Sequence, residues 1–419
     1  MFATMKQIFN PKNRDIQKKI LFTFAALFVF KFGTTITVPG VQLDTKGLGF
    51  LEIVNAMSGG AFESASIFAL GVMPYISASI IIQLLAMDII PYLSDLSKQG
   101  GVGRNKLNQI TRVTGIILAF VQGYMYSFSY IKNGNAMDYM VYSLVLTAGT
   151  ALVLWIGDQI TQKGIGNGVS MIIMAGIIAT LPSMFSGLWT ELIMGGKGFI
   201  GILTFIIFVL VFLAIIIGVV FVENAERRIP IQYANKSTST LGRQNYIPFK
   251  LNSAGVMPVI FASAVVSIPQ IIATFINNAD FALFVTKYLS YTSVTGLALY
   301  VLLIIGFAYL YTFMQLKPGE LSEKLNKNGG YIPGVRPGDE TEEYISKILK
   351  RITIVGACFL ALLAALPILF SEFSTLQTSI TISGTGLLIV VGVALETYKQ
   401  LESQLVSRTY TKGRKGRRR

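Results

Sequence analysis

Ten apolar runs divide this chain, at roughly 20–38, 72–92, 112–131, 139–157, 169–187, 199–222, 255–275, 294–316, 352–370 and 380–398. A membrane-crossing helix needs about 20 mostly apolar residues. In hydrocarbon there is no water to satisfy a backbone N–H or C=O, so such runs are confined to helices. The expected fold class is therefore an all-α polytopic membrane protein with ten transmembrane helices. Composition agrees: 53% of residues are apolar and 13% charged, against about 25% charged in a soluble chain. This excludes a soluble globular, disordered or fibrous protein. Histidine is absent and Cys358 is the one cysteine. No disulfide framework, Cys/His metal site, catalytic triad or Cys–His dyad can be built within the chain.

An eleventh, weaker stretch at 54–70 is rich in Gly, Ser and Ala and is interrupted by Glu63. It is too short and polar to span, and reads as a re-entrant or half-inserted segment.

Ten spans put both termini on one side, and the basic residues say which. The segments 1–19, 93–112, 158–168, 223–253, 317–351 and 396–419 hold 30 Lys and Arg, whereas the intervening loops hold Lys46, Lys132, Lys197 and Lys287, and Lys31 lies within the first span. By the positive-inside rule the termini and the large loops are cytoplasmic. The basic start before an apolar run resembles a signal peptide, but no small-residue cleavage site follows it. Most of the net charge of +14 is thus topology. The tail containing Lys412, Arg414, Lys415, Arg417, Arg418 and Arg419 suits anionic lipid or, alternatively, ribosomal RNA or an acidic partner.

Gly71-Val72-Met73-Pro74-Tyr75-Ile76-Ser77-Ala78-Ser79 recurs as Gly255-Val256-Met257-Pro258-Val259-Ile260-Phe261-Ala262-Ser263, identical at seven of nine positions and 184 residues later. The expected topology gives the two copies opposite directions, as in inverted-repeat membrane proteins. The expected organisation is an N-terminal half at 1–187, a hinge at 188–198, a C-terminal half at 199–400 and a basic tail at 401–419. Each copy opens with Pro in the first turn, where its missing N–H breaks no helical bond. The small residues that follow allow close helix approach.

The spans are nearly bare of charge; Lys31 lies within the first, and Asp88 near the cytoplasmic end of the second, close enough to snorkel or cap. Ion-coupled transporters and pumps place ionisable groups inside their spans. No phosphate-binding Gly-x-x-x-x-Gly-Lys-Ser/Thr occurs, because Gly196-Lys197 lacks both the upstream Gly and the hydroxyl. The chain is expected to be no enzyme, to need no cofactor and to draw any driving energy from a partner. The loops differ. The segment 223–253 carries Arg227, Arg228, Lys236, Arg243 and Lys250, and 317–351 carries Gly329-Gly330-Tyr331-Ile332-Pro333-Gly334-Val335-Arg336-Pro337-Gly338. Gly and Pro at that density fix a projecting loop tip. Such loops are either solvated hairpins or docking surfaces, and their length favours docking.

Four stretches resemble the SecY/Sec61α family of protein-conducting channel subunits. They are Phe68 to Leu85, Gly157 to Ser170, Tyr331 to Tyr344, and Gly386 to Val393, in the family's order across nearly the whole chain. The resemblance implies two inverted halves around a central pore, closed at mid-membrane by an aliphatic ring matching Val72, Ile76, Val169, Ile173, Ile260 and Ile389. Such a ring gates ions by dewetting. The resemblance also makes 54–70 the family's short plug helix, with Ser58, Gly59, Gly60, Ala61, Phe62 and Glu63 at its tip. Ser77, Gln122 and Ser263 match polar positions of the lateral gate. Arg336 matches the arginine that meets the motor ATPase SecA or the ribosome, and Arg227, Arg228, Arg243 and Lys250 lie in the other docking loop. Implied partners are SecE, SecG, SecA, the ribosome, signal peptides, unfolded preproteins and anionic lipids. The implied place is the bacterial cell membrane.

Two departures stand out: Asp158 where many relatives have Glu, and Ser383-Gly384-Thr385-Gly386 where Gly-Gly-Thr-Ser is usual. Val72 and Val169 are smaller than isoleucine, which implies a leakier seal. From the residues alone, a passive channel competes with a secondary transporter for a small solute, and the bare spans and large basic loops favour the channel.

Overall fold

The computed structural model describes residues 13–39, 55, 58–87, 89–131, 134–194, 198–233, 245–275, 279–290, 293–374 and 382–416. Helices dominate: α1 Arg14–Gly33, α2 Met73–Leu85, α3 Pro91–Lys98, α4 Gly101–Tyr130, α5 Ala136–Lys163, α6 Gly168–Trp189, α7 Gly198–Asn224, α8 Met257–Phe275, α9 Ala279–Tyr288, α10 Val294–Leu316, α11 Pro318–Lys327, α12 Asp339–Ser374 and α13 Ile382–Gly416. Each of the ten apolar runs overlaps one of these helices. Among the described residues, five segments are long and apolar enough to cross a membrane: Ala136–Lys163, Gly168–Met194, Phe199–Asn224, Val294–Lys327 and Asp339–Leu366. Of the expected hinge, residues 190–194 form a π-helical turn continuing α6.

The chain forms two compact units, Met1–Phe208 with Leu376–Arg419, and Val209–Thr375. In the first, α4 packs along α2, α3 and α5, while α6 packs against α1, α5 and α13. Glycine sets the closest approach. A side chain at Gly168 would collide with the Gly157 carbonyl, so the end of α5 and the start of α6 meet backbone to backbone. The turn joining them is pinned twice: the Ile165 N–H donates to Thr23 Oγ1 at 3.0 Å, and the Gly166 N–H to Gln400 Oε1 at 2.9 Å. Ile165 also packs with Ile16 of α1 and Leu405 of α13.

In the second unit α10 packs on α8 and α12. Beside them lies a three-stranded antiparallel sheet of order β2-β1-β3, with β1 Glu226–Tyr233, β2 Asn245–Lys250 and β3 Gly330–Tyr331. The register pairs Ile229 with Ile247 and Arg227 with Phe249 across β1 and β2, and Gln232 with Tyr331 across β1 and β3. Alternation along β1 turns Ile229 and Ile231 inward. They join Phe249, Leu325, Ile332, Ile345, Ile348, Leu349 and Ile352 in a hydrophobic core. The two large basic loops, read as separate in the sequence, are thus one folded module, closed by the first turns of α12. At about 1.5 Å per residue α12 is about 54 Å long, well beyond the ~30 Å hydrocarbon core, which frees its first turns for this packing.

Candidate functional site

The described part of the weak segment, residues 58–70, is a run of turns, preceded by helical Asn55; residues 54, 56 and 57 lie outside the described residues. Its turns are built from small residues and side-chain hydrogen bonds. Gly59 and Gly60 both have left-handed φ, +73° and +85°. The Asn55 amide donates to Glu63 Oε2 at 2.9 Å and its Oδ1 accepts from the Glu63 N–H at 2.9 Å. Ser58 Oγ accepts from the Phe62 N–H at 3.2 Å. Ser58, Ala61 and Phe62 are buried, while Glu63 is exposed. The Phe62 ring meets the Tyr126 ring of α4 edge-on, 5.2 Å between centroids.

The chain following α1 holds this segment from the other side. The Val38 N–H donates to the Ala65 carbonyl at 3.0 Å and the Ile67 N–H to the Ile36 carbonyl at 3.1 Å. Ser64 Oγ donates to the Thr34 carbonyl at 3.2 Å. Phe68 stacks on Phe30 at 6.0 Å, in space that a side chain at Gly33 would occupy. Gly59 sits so close to α6 that a Cβ there would lie 3.1 Å from Gly176 Cα.

The six aliphatic positions are distributed as follows. Val72 is the N-cap of α2, and Ile76 donates its N–H to the Val72 carbonyl at 3.1 Å. Val169 and Ile173 occupy the first turns of α6, where Asn167 caps the helix by accepting from the Val169 N–H at 3.1 Å. Ile389 lies on α13, which packs against α6. Ile260 lies on α8 in the second unit. Five of the six are buried and Val169 is half-buried. Of the sequence departures, Gly386 brings α13 close to α6: a Cβ there would sit 2.9 Å from Ile177 Cγ2. Asp158 on α5 forms an ion pair with Arg112 on α4.

Ser77 and Gln122 are both half-buried, on the adjacent helices α2 and α4. Ser77 Oγ donates to the Met73 carbonyl at 3.2 Å. Ser263, on α8, donates to the Val259 carbonyl at 2.9 Å.

In the module, Arg227 and Lys250 are exposed on β1 and β2. Arg228 is also exposed; it is paired with Glu226 at 2.7 Å and lies 4.8 Å over the Tyr246 ring. Arg243 lies outside the described residues. The loop after β3 turns at Ile332-Pro333-Gly334-Val335, where the Val335 N–H donates to the Ile332 carbonyl at 3.1 Å and Gly334 has φ +83°. Pro second and a left-handed Gly third is the type II turn sequence. Thr341 Oγ1 then donates to the Arg336 carbonyl at 2.8 Å, and Ser322 Oγ to the Gly338 carbonyl at 2.8 Å. The Arg336 carbonyl is held from α12 and the Gly338 carbonyl from α11, while the Arg336 side chain stays 87% exposed, 3.6 Å from Glu340.

Sequence reasoning missed the pairing of β1 with β3, the Arg112–Asp158 ion pair and helix α3. Pro91 at the first helical position and Gly100-Gly101 after Lys98 were available signals for α3.

Comparison with known proteins agrees with this layout. The SecY family model matches residues 66–398. The protein translocase subunit SecY of Bacillus subtilis (strain 168) is 45% identical over 427 residues, covering 98% of this chain and 99% of the relative. That of Staphylococcus epidermidis (strain RP62A) is 45% identical over 436 residues and covers both chains fully. Among solved structures, a protein-conducting channel superposes with a TM-score of 0.68 at 18% identity, covering 94% of this chain and 93% of the other. Sec61 in a canine ribosome–channel complex superposes with a TM-score of 0.64 at 17% identity over the same shares. At those identities the structures speak for the fold, and the full-length relatives speak for the family: this chain is a member of the SecY family.

Proposed function

We propose that this chain is the pore-forming subunit of a protein-conducting channel. It passes unfolded secretory proteins across the bacterial cell membrane and releases apolar segments sideways into lipid. The observation that carries this reading is the 45% identity to translocase subunits over essentially the whole of both chains. Family members are channel subunits, not enzymes, and the driving energy comes from a partner.

In this reading Val72, Ile76, Val169, Ile173, Ile260 and Ile389 form the constriction. An aliphatic ring excludes water and ions when empty and yields to a passing chain, because no charge or hydrogen bond has to be broken. The segment 54–70 is the plug in this reading, which the close approach of Gly59 to Gly176, three residues after Ile173 on α6, supports. The halves 1–187 and 199–400, joined at 188–198, open laterally past Ser77, Gln122 and Ser263. Both termini, the tail 401–419 and the module of loops 223–253 and 317–351 face the cytoplasm. The module presents Arg227, Arg228, Arg243, Lys250 and Arg336 to SecA or the ribosome, while SecE and SecG complete the channel in the membrane.

The test is translocation of a radiolabelled preprotein into proteoliposomes containing this chain, SecE and SecA with ATP, comparing wild type with Arg336→Glu. Protease protection with wild type and its loss with the variant support both channel and docking loop. Equal protection removes Arg336 from docking. Absence of protection in wild type, with SecE bound and SecA hydrolysing ATP, counts against the channel.

A further inference from the structure

Lys31 lies in the last turn of α1, within a set of spans otherwise almost free of charge. A cation in such a helix is costly unless it reaches the interface or a polar partner. Here the partner is specific: Lys31 Nζ donates a hydrogen bond to the Gly59 carbonyl at 3.0 Å. Gly59 is also the residue whose Cα–H face meets Gly176 of α6, one turn beyond Ile173. The ammonium therefore holds the turn run at the point where it fits against α6.

The other described hydrogen bonds from α1 and the chain after it, Ser64 to Thr34, Val38 to Ala65 and Ile67 to Ile36, are between neutral groups and lie farther along the segment. Hydrogen bonds with an ionised donor are roughly twice as strong as neutral ones. Because the acceptor is a main-chain carbonyl, the contact depends on the lysine and on the left-handed turn at Gly59 and Gly60, and not on a plug side chain.

We propose that Lys31 is a latch for the plug: a positioning residue that holds 58–63 against α6 in the idle channel and so sets how strongly a signal segment must engage to open it. The proposal rests on the reading of 54–70 as a plug. Loss of a hydrogen bond from a charged donor shifts an equilibrium by about ten- to a hundredfold, so the open-plug population should rise by about that factor in Lys31→Met.

The experiment compares the chain reconstituted with SecE as wild type, Lys31→Met, Lys31→Arg, a deletion of residues 58–63, and the deletion combined with Lys31→Met. Idle ion conductance is read in planar bilayers. SecA-driven export of a preprotein whose signal segment is interrupted by a charge is read in vesicles. The expected result is higher conductance and higher export for the deletion and for Lys31→Met, wild-type behaviour for Lys31→Arg, and no added effect in the combination. A deletion that raises conductance while Lys31→Met does not would overturn the latch and leave the plug standing. A deletion without effect would overturn the plug reading itself, and the latch with it. If Lys31→Met does not assemble with SecE, Lys31→Gln, shorter and uncharged, is read against Lys31→Arg in the same way, and equal conductance of the two overturns the latch.

Discussion

The Tyr331 hydroxyl donates to Gln232 Oε1 at 2.9 Å, joining two strands 99 residues apart in the chain. Their backbones are paired as well, and Gly330 lies so close to Tyr233 that a Cβ would be 3.0 Å from its ring. Gly330→Val should therefore push β3 off β1, whereas Tyr331→Phe removes one exposed hydrogen bond, a loss of about 1 kcal/mol or less. Faster amide exchange through 328–338 in Gly330→Val, with little change in Tyr331→Phe, is the expected outcome. Equal protection in both would mean that the pairing does not hold the loop.

Leu349 is fully buried in the core shared by the sheet and α12. Leu349→Ala should cost about 2–5 kcal/mol, the usual range for emptying such a site. Because the core belongs to the module, the damage should appear as new protease cleavage in 223–253 and 317–351 while SecE association persists. Arg336→Glu, on a side chain 87% exposed, should produce no such cleavage.

Gly59→Ala places a side chain against the Gly176 backbone, which cannot move aside as a flexible side chain could, and does so at a left-handed φ of +73°. On the proposed plug reading, the strain of roughly 1 kcal/mol or more falls on the closed state alone. Idle conductance should rise, and a conductance equal to wild type would show that the segment closes without this fit.

Val72 is 1% exposed at the N-cap of α2. If the smaller side chain leaves the seal loose, Val72→Ile should lower idle conductance, at a packing cost of about 1–3 kcal/mol. Single-channel recording of the idle pore checks this, and an unchanged conductance would remove side-chain size at Val72 from the explanation of the seal.

Helices were legible because apolar length is written locally. The run at 352–370 marked α12, but its start at Asp339 was hidden because Ile345, Ile348 and Leu349 pack with residues of another loop. Arg336 and the Pro333-Gly334 turn were legible for the same local reason: turn chemistry sits in consecutive residues. The sheet was not. Pro230 argues against a strand, yet at that position β1 is bordered by β2 alone, so one side is an open edge that tolerates a missing N–H. Lys31 was noted in the sequence, but its acceptor is a backbone carbonyl 28 residues away, and main-chain acceptors leave no mark in a sequence.

The strand pairing of Gln232 with Tyr331 also sets a clock. A chain is synthesised at about 5–20 residues per second, so the hairpin of β1 and β2 waits on the order of 5–20 s before β3 and α12 arrive. During that interval Ile229, Ile231 and Phe249 have no core to enter, and α8 and α10 have to be threaded into the membrane before the module can close. If the module docks a partner as proposed, that docking surface is thus finished late, after most of the spans have been made. On that proposal, a newborn copy cannot engage a partner there until little of it remains to be synthesised.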